Sequence, residues 1–152
     1  MLRGASGQSI KGWLSPAKSQ SENTPALLVE HGVEFMCDWI NDDLPFPFRT
    51  AAGELTAMPL STELEDRFVI TDNGHAELEW AEQVEDACDF LIGEAEATGG
   101  GRLLALNIHP WMLGQPHRIR ALERVLEYIT QSGKVWSAAP GEILAAWRAV
   151  QA

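Results

Sequence analysis

The sequence contains few cysteines, few basic residues and no long hydrophobic run. Cys37 and Cys88 are its only cysteines, and they lie far apart and outside any CxxC motif. They therefore predict small core residues and leave the redox compartment open. Two such cysteines and four scattered histidines cannot form a structural zinc site. No stretch of eighteen apolar residues occurs, and residues 1–9 lack a signal-peptide core, so we expect a cytoplasmic chain.

Basic residues are outnumbered two to one. Eleven Lys and Arg face 22 Asp and Glu, which gives a net charge of −11. Such a charge argues against nucleic acid or an anionic membrane as a partner, and favours an uncharged or cationic ligand. The length of 152 residues fits one domain, residues 1–152, with enough chain to bury a core.

Apolar runs alternate with amphipathic segments along the chain. Four strands are predicted, at about 11–14, 33–39, 102–108 and 134–137. Helices are predicted near 24–32, 75–97 and 116–133 and from Pro140 onward. Residues 46–50 and 54–60 flank Ala52-Gly53 and predict a β-hairpin outside the main sheet. The pattern is typical of a parallel α/β protein, but four strands are too few to close a barrel. The chain is therefore a small open sheet or half of a larger fold.

His109 ends the most continuous apolar run, Leu103-Leu104-Ala105-Leu106-Asn107-Ile108. In α/β folds catalytic groups collect at the carboxyl ends of buried strands, which makes this histidine the first candidate for chemistry. The alternative is a structural histidine with satisfied hydrogen bonds, and position alone favours that alternative.

A second polar cluster follows the predicted strand 33–39. Asp38, Asn41, Asp42 and Asp43 precede the aromatic stretch 44–48. Carboxylates beside aromatic rings are a common way to bind a carbohydrate or another small polar ligand. The alternative is a solvated turn.

Several motifs along the chain resemble those of one family. They are Gly12-Trp13, Ser15-Pro16, Asn23-Thr24-Pro25, Leu27-Leu28 and Gly32; Asp38 with Asn41-Asp42-Asp43-Leu44-Pro45; Leu106-Asn107-Ile108-His109-Pro110-Trp111 with Gly114-Gln115-Pro116-His117-Arg118-Ile119 and Leu122-Glu123; and Val135-Trp136 with Glu142-Ile143 and Trp147. In this order they resemble the middle, later and closing motifs of the NodB-type polysaccharide deacetylases, including their allantoinase-like branch.

The resemblance implies a fold and an activity. The fold is a partial (β/α) barrel of the polysaccharide deacetylase type, with about four parallel strands and the hairpin as an insertion. Family members hydrolyse acetamido groups or related amides with a divalent metal: metal-bound water attacks, a carboxylate acts as base, and a histidine protonates the leaving nitrogen. His109 matches that histidine, and Asp38 matches the carboxylate that holds it.

The substrate-binding residues implied by the resemblance come from several motifs. Leu106 and Trp111 match residues that line the pocket for the acyl group, and Lys18 falls near an arginine that orients the base. Trp13, Trp39, Asp42 and Asp43 complete the predicted substrate-binding set. A small amide or an N-acetylated sugar is the expected substrate.

Two family motifs are absent from the sequence. The family's base and first metal ligand come from an Asp-Asp motif, and its other ligands from a His-x3-His motif, both of which should precede Gly12. We therefore predict the carboxyl-terminal half of a deacetylase barrel, without a metal site of its own; a zinc-like divalent metal belongs to the complete family site. Pairing with the missing amino-terminal half or self-association would follow. The alternatives are a non-catalytic carbohydrate- or partner-binding module and an unrelated open-sheet domain.

Overall fold

A computed structural model describes residues 2–151, and these residues form two compact units. The first comprises the described residues of Met1–Pro59 and Ala138–Ala152, and the second is Leu60–Ser137. The prediction of one domain over the whole chain stays a prediction.

The first unit carries the sheet. Its elements are α1 (Leu2–Ser6), β1 (Gly12–Trp13), a 3-10 turn (Pro16–Lys18), α2 (Thr24–Glu30), β2 (Phe35–Met36), β3 (Phe46–Thr50), β4 (Gly53–Ala57) and α6 (Pro140–Gln151). Pro25 occupies the first turn of α2, where its missing N–H costs nothing. Beyond the end of α2, Gly32 adopts a left-handed φ of 71°.

The four strands form one mixed sheet in the order β1-β2-β4-β3. β1 pairs with β2 in parallel, β2 pairs with β4 in parallel, and β3 and β4 form an antiparallel hairpin. Apolar side chains from the sheet and from α2 make the core of this unit: Leu28, Val33, Met36 and Leu55 are buried, and Ile10, Trp13, Val29 and Trp39 pack against them.

Gly12 is required by the packing of β1 on β2. A Cβ atom at this position would lie 2.2 Å from Cζ of Phe35, whose ring is buried against the glycine. The ring therefore occupies the space that any other residue at position 12 would need.

The second unit is helical. Its elements are a 3-10 turn (Thr62–Leu64), a π-helical turn (Phe68–Asp72), α3 (Glu77–Thr98), α4 (Pro110–Leu113) and α5 (Ile119–Gln131). α3 ends where Gly99 takes a left-handed φ of 70°. Trp80, Val84, Leu113 and Val125 are fully buried in the core of the unit, and the Trp80 indole N–H donates to the carbonyl of Leu64 at 2.9 Å.

The α/β class and the partial coverage of the barrel are confirmed, but several details of the predicted sheet are wrong. Within residues 2–151, neither 102–108 nor 134–137 joins a strand ladder. The hairpin lies inside the sheet and not outside it, because β4 pairs with β2.

The predicted helices are present with small changes of boundary. Pro116 lies in a turn, so that α5 begins three residues later than expected, at Ile119. The short helix α4, a single turn, was not among the predicted helices. None of the helices that the structure describes is long and hydrophobic enough for a membrane span.

Candidate functional site

His109 directly precedes helix α4 and follows residues 102–108, which belong to no strand of the described sheet. Its backbone is extended (φ −99°, ψ 108°), and Pro110 begins the helix directly after it. The His109 carbonyl accepts the N–H groups of Met112 and Leu113 at 2.9 and 3.1 Å. Because Met112 and Leu113 are buried, the turn that follows the histidine is fixed to the core of the second unit.

A buried carboxylate holds the imidazole. Oδ1 of Asp66 lies 2.6 Å from Nδ1 of His109, and Oδ2 accepts the His109 backbone N–H at 2.8 Å. Oδ1 also accepts the backbone N–H of Arg67 at 2.8 Å. Asp66 is 0% exposed, so both its oxygens are used inside the protein. One side chain therefore fixes both the ring and the backbone of His109.

A second carboxylate and an indole lie near the same ring. Oε1 of Glu65 is 3.7 Å from Nε2 of His109, and the Glu65 side chain is 11% exposed. Trp111 meets the imidazole edge to face, with ring centroids 5.5 Å apart, and is 59% exposed. The histidine side chain itself is 25% exposed. Nε2 is thus the nitrogen of this ring that is not engaged by Asp66.

The geometry assigns the tautomer. An ionised carboxylate can only accept hydrogen bonds, so the 2.6 Å contact places a proton on Nδ1 of His109. Nε2 is then an acceptor in the neutral ring and a donor in the imidazolium. A carboxylate that fixes one nitrogen and leaves the other to exchange a proton is the arrangement that general acid–base histidines use.

Asp38 has a different set of partners from the one predicted. Its two oxygens accept the Ser15 backbone N–H at 2.7 Å and the Ser15 hydroxyl at 2.5 Å, and the hydroxyl accepts the Trp13 indole N–H at 3.0 Å. Within the second unit the carboxylate that contacts His109 is Asp66, and the part predicted for Asp38 beside this histidine stays a prediction. Asp38 instead ties the end of β1 to the end of β2. Beside it, burial and the Asp38 charge raise the pKa of the Cys37 thiol to about 11.

The other predicted binding residues of the first unit have different local surroundings, although Trp13 and Trp39 pack against the same core. Trp39 stacks on Phe48 with ring centroids 5.3 Å apart. Asp42 and Asp43 are exposed in a turn, where Asp42 accepts the Leu44 N–H at 3.2 Å. Lys18 has a left-handed φ of 54°. Ser15 thus links Trp13 to Asp38 by hydrogen bonds. Asp42 and Asp43 lie in an exposed turn, which is the alternative considered for this cluster.

The unit that holds His109 also contains Leu106 and Trp111. Leu106 is half-buried and packs against the core of the unit, whereas Trp111 contacts the imidazole. A cavity of about 420 Å³ occurs in the first unit, lined by Pro47, Glu54, Leu55, Thr56, Trp147, Arg148 and Gln151. It contains none of the predicted site residues.

The divalent metal that the resemblance implies needs at least three convergent ligands. Among residues 2–151 no group of three His, Cys, Asp or Glu side chains is placed to hold a metal ion. The described residues therefore do not fit the metal, and no step through it is assigned to this chain.

Sequence analysis missed the two acidic residues at the site. Glu65 and Asp66 lie between Leu64 and the exposed Arg67, and local patterning cannot distinguish a buried acidic pair from a charged turn. Asp66 is recognisable only by its burial, because a fully buried carboxylate must have partners.

Comparison with known proteins gives relatives at both the sequence and the structure level. No family model matches the chain. A candidate polysaccharide deacetylase of Schizosaccharomyces pombe is 27% identical over 125 residues, which span 76% of this chain and 39% of that protein.

Solved structures agree with that result. The probable polysaccharide deacetylase from Pseudomonas aeruginosa PAO1 superposes with a TM-score of 0.80 and 28% identity, over 96% of this chain and 49% of that chain. Puue allantoinase superposes with a TM-score of 0.82 and 27% identity, over 97% of this chain and 49% of that chain. A Mycobacterium smegmatis structure at 23% identity and a TM-score of 0.77 supports the fold alone. The chain is thus similar, in sequence and in fold, to NodB-type polysaccharide deacetylases and to allantoinase over about half of their length.

Proposed function

We propose that this chain supplies the proton-donating histidine of a deacetylase-like hydrolase that cleaves carbon–nitrogen bonds other than peptide bonds. The observation that carries the proposal is the contact between Nδ1 of His109 and the fully buried carboxylate of Asp66 at 2.6 Å. The similarity to deacetylases and to an allantoinase supports the reaction class.

Hydrolysis of an amide requires an acid because an amide anion is a very poor leaving group. After water has added to the carbonyl carbon, the carbon–nitrogen bond breaks and its electron pair stays on nitrogen. The Nε2 proton of the His109 imidazolium passes to that nitrogen, which leaves as a neutral amine. The ring becomes neutral. Its Nδ1 keeps a proton and donates it in the hydrogen bond to Asp66.

The neighbours of the ring have distinct parts in this proposal. Asp66 is a positioning residue, because its bonds to the ring and to the His109 backbone fix where Nε2 points. Trp111 offers an exposed indole beside the imidazole, against which the apolar face of a sugar or an acyl group would pack. N-acetylated sugars and small amides such as allantoin are therefore the substrate classes to test.

A chimera tests the proposal. Residues 1–152 would be joined to the half of the Pseudomonas aeruginosa protein that lies outside the match. The chimera is assayed with added zinc on a chromogenic acetanilide, a chitooligosaccharide and allantoin. His109→Ala should lower kcat by about 100- to 10,000-fold, the usual contribution of general acid–base catalysis. His117→Ala removes an exposed histidine of the same unit and should leave kcat unchanged.

The chain alone should show no metal-dependent turnover of these substrates. Full activity of the His109→Ala chimera would refute the proposal. So would a folded, zinc-loaded chimera that hydrolyses none of the three substrates.

A non-catalytic carbohydrate-binding module is the second candidate, favoured by the 59% exposure of Trp111. Exposed indoles commonly bind sugar faces, although a tryptophan is more often part of a core. Calorimetry of the chain with a chitooligosaccharide tests this candidate. Binding that is lost in Trp111→Ala and retained in His109→Ala would favour the module.

A further inference from the structure

Glu65 is a buried acidic residue that the proton transfer by His109 does not use. Its Oε1 lies 3.7 Å from Nε2 of His109, the nitrogen that Asp66 does not engage, and its side chain is only 11% exposed. A buried carboxylate loses its hydration and needs positive charge or hydrogen-bond donors to compensate. The ionised Glu65 is therefore best stabilised when positive charge is present beside Nε2.

The position of the leaving nitrogen follows from the proposed function, on which this inference rests. To receive the proton, that nitrogen must lie about 3 Å from Nε2 of His109. Because Oε1 of Glu65 is 3.7 Å from the same Nε2, the leaving nitrogen and Oε1 are then at most about 7 Å apart. This distance is shorter than the screening length of about 8 Å at physiological ionic strength. Glu65 therefore acts on any charge that the leaving nitrogen acquires.

The charged groups around the ring favour a further cation. Arg67 lies near Glu65, with Nε 3.9 Å from Oε1, but its guanidinium is also 3.7 Å from Asp72 and is about half exposed. Asp66 contacts the other ring nitrogen. The His109 imidazolium and Arg67 are two positive groups against three carboxylates, so these five groups carry one excess negative charge. The excess becomes two once the proton has left the ring.

Trp111 adds a second group that attracts cations. Its indole contacts the imidazole edge to face, with ring centroids 5.5 Å apart, and is 59% exposed. A cation near the face of an indole is attracted by the quadrupole of the ring. The net charge of −11 also attracts cations to the chain from a distance. An ammonium group therefore gains electrostatic energy here that a neutral group of the same shape does not.

We propose that Glu65 is a specificity-determining residue, which binds the ammonium group of an amine product beside Nε2 of His109. An alkylamine takes up a further proton from water after its release and becomes a cation, whereas a nitroaniline or a urea nitrogen stays neutral. Positive charge also develops on an alkylamine nitrogen while it receives the proton from Nε2. The site thus prefers N-acylated alkylamines, such as N-acetylated sugars, to anilides and to ureides such as allantoin.

Glucosamine and glucose are a matched pair of probes, because they differ only in an ammonium group in place of a hydroxyl. The full chain is titrated with each sugar, below the pKa of the amine, and the indole N–H signal of Trp111 is followed by NMR. Its absence from the spectrum of Trp111→Phe assigns the signal. Glucosamine should bind about tenfold more tightly than glucose, as expected for one contact with a charged group.

Three variants show whether the preference comes from the Glu65 charge. Glu65→Gln keeps the shape of the side chain without the charge, so the two sugars should then bind about equally. Glu65→Asp keeps the charge and should retain a preference for glucosamine. Glu63→Gln removes an exposed charge two residues away and should leave the preference unchanged. Circular dichroism and the urea midpoint check that each variant is folded.

Three results would overturn the proposal. The first is equal affinity of the wild-type chain for the two sugars. The second is an undiminished preference for glucosamine in Glu65→Gln, and the third is no shift of the Trp111 signal with glucosamine. The titration measures binding without turnover, so it can fail while His109 still acts as the acid in the chimera. An inactive chimera with the charge preference intact would instead refute only the proposed function.

Discussion

Replacing Asp66 should lower the free energy of unfolding far more than replacing any exposed acidic residue. The carboxylate accepts the backbone N–H groups of Arg67 and His109 and contacts the imidazole, all within 2.8 Å, while it is 0% exposed. Asp66→Ala leaves both backbone donors without an acceptor. Each unsatisfied buried donor costs about 1–3 kcal/mol, so for the two donors we expect a loss of about 2–6 kcal/mol in the free energy of unfolding.

Asp66→Asn should cost less, because the amide oxygen can replace Oδ1 while its NH2 group faces the His109 N–H as a second donor. Because the Asn NH2 group and the His109 N–H are then two donors facing each other, we expect a loss of about 1–3 kcal/mol in the free energy of unfolding. The assay is urea unfolding followed by tryptophan fluorescence, to which the buried Trp80 contributes.

Asp86→Asn on the exposed side of α3 is the control, with an expected change within about 0.5 kcal/mol. An Asp66→Ala protein as stable as that control would refute the assignment of Asp66 as the support of His109. Nitrogen NMR of the ring gives a second check. A protonated Nδ1 in the wild type is expected, and a protonated Nε2 in the neutral ring would contradict the tautomer.

Three further predictions concern other parts of the chain. Gly12→Ala should lower the free energy of unfolding in urea by about 1–3 kcal/mol, because its Cβ would overlap the Phe35 ring. Gly93→Ala, at an open position in α3, should instead raise it by about 0.5–1 kcal/mol. Equal effects of the two substitutions would contradict the packing of Phe35 on Gly12. Asp38→Ala should cost about 1–3 kcal/mol, because the Ser15 N–H and hydroxyl lose their acceptor, and an unchanged urea midpoint would contradict that structural part. Tyr128 is the single tyrosine, and its hydrogen bond to Asp89 raises its pKa to about 12. Its ultraviolet titration should therefore move toward about 10 in Asp89→Asn. Because the phenol ionises at lower pH in the unfolded chain, the free energy of unfolding should fall as the pH rises from about 10 to 12. A titration midpoint near 10 for Tyr128 in the wild type would contradict the hydrogen bond.

The helices were predictable because their signals are local. The three- and four-residue spacing of Leu78, Ala81, Val84 and Cys88 and the glycine after Thr98 predicted α3 within two residues of each end. The hairpin was predictable for the same reason, since Gly53 supplies the φ of 137° at the turn. Its place in the sheet was not, because the pairing of β4 with β2 joins segments that are distant in sequence.

The strand predicted at 102–108 shows a second limit of local patterns. Its continuous apolar run was identified, and Leu104, Leu106 and Ile108 do pack against the core of the second unit. A strand also needs a neighbour, however, and no local pattern shows whether one is present. The candidate site divides in the same way: His109 follows from motif and position, whereas its partner Asp66 is defined by burial, which the sequence around it does not show.

The dependence of the rate on the leaving group tests most directly whether His109 is the proton donor. In the chimera, 4-nitroacetanilide releases a weakly basic amine, whereas an N-acetylated sugar releases a strongly basic one that depends on protonation. His109→Ala should therefore lower kcat/KM for the sugar by at least about tenfold more than for the nitroanilide. Equal losses on the two substrates would contradict the account, because they would mean that His109 binds or positions the substrate without donating the proton.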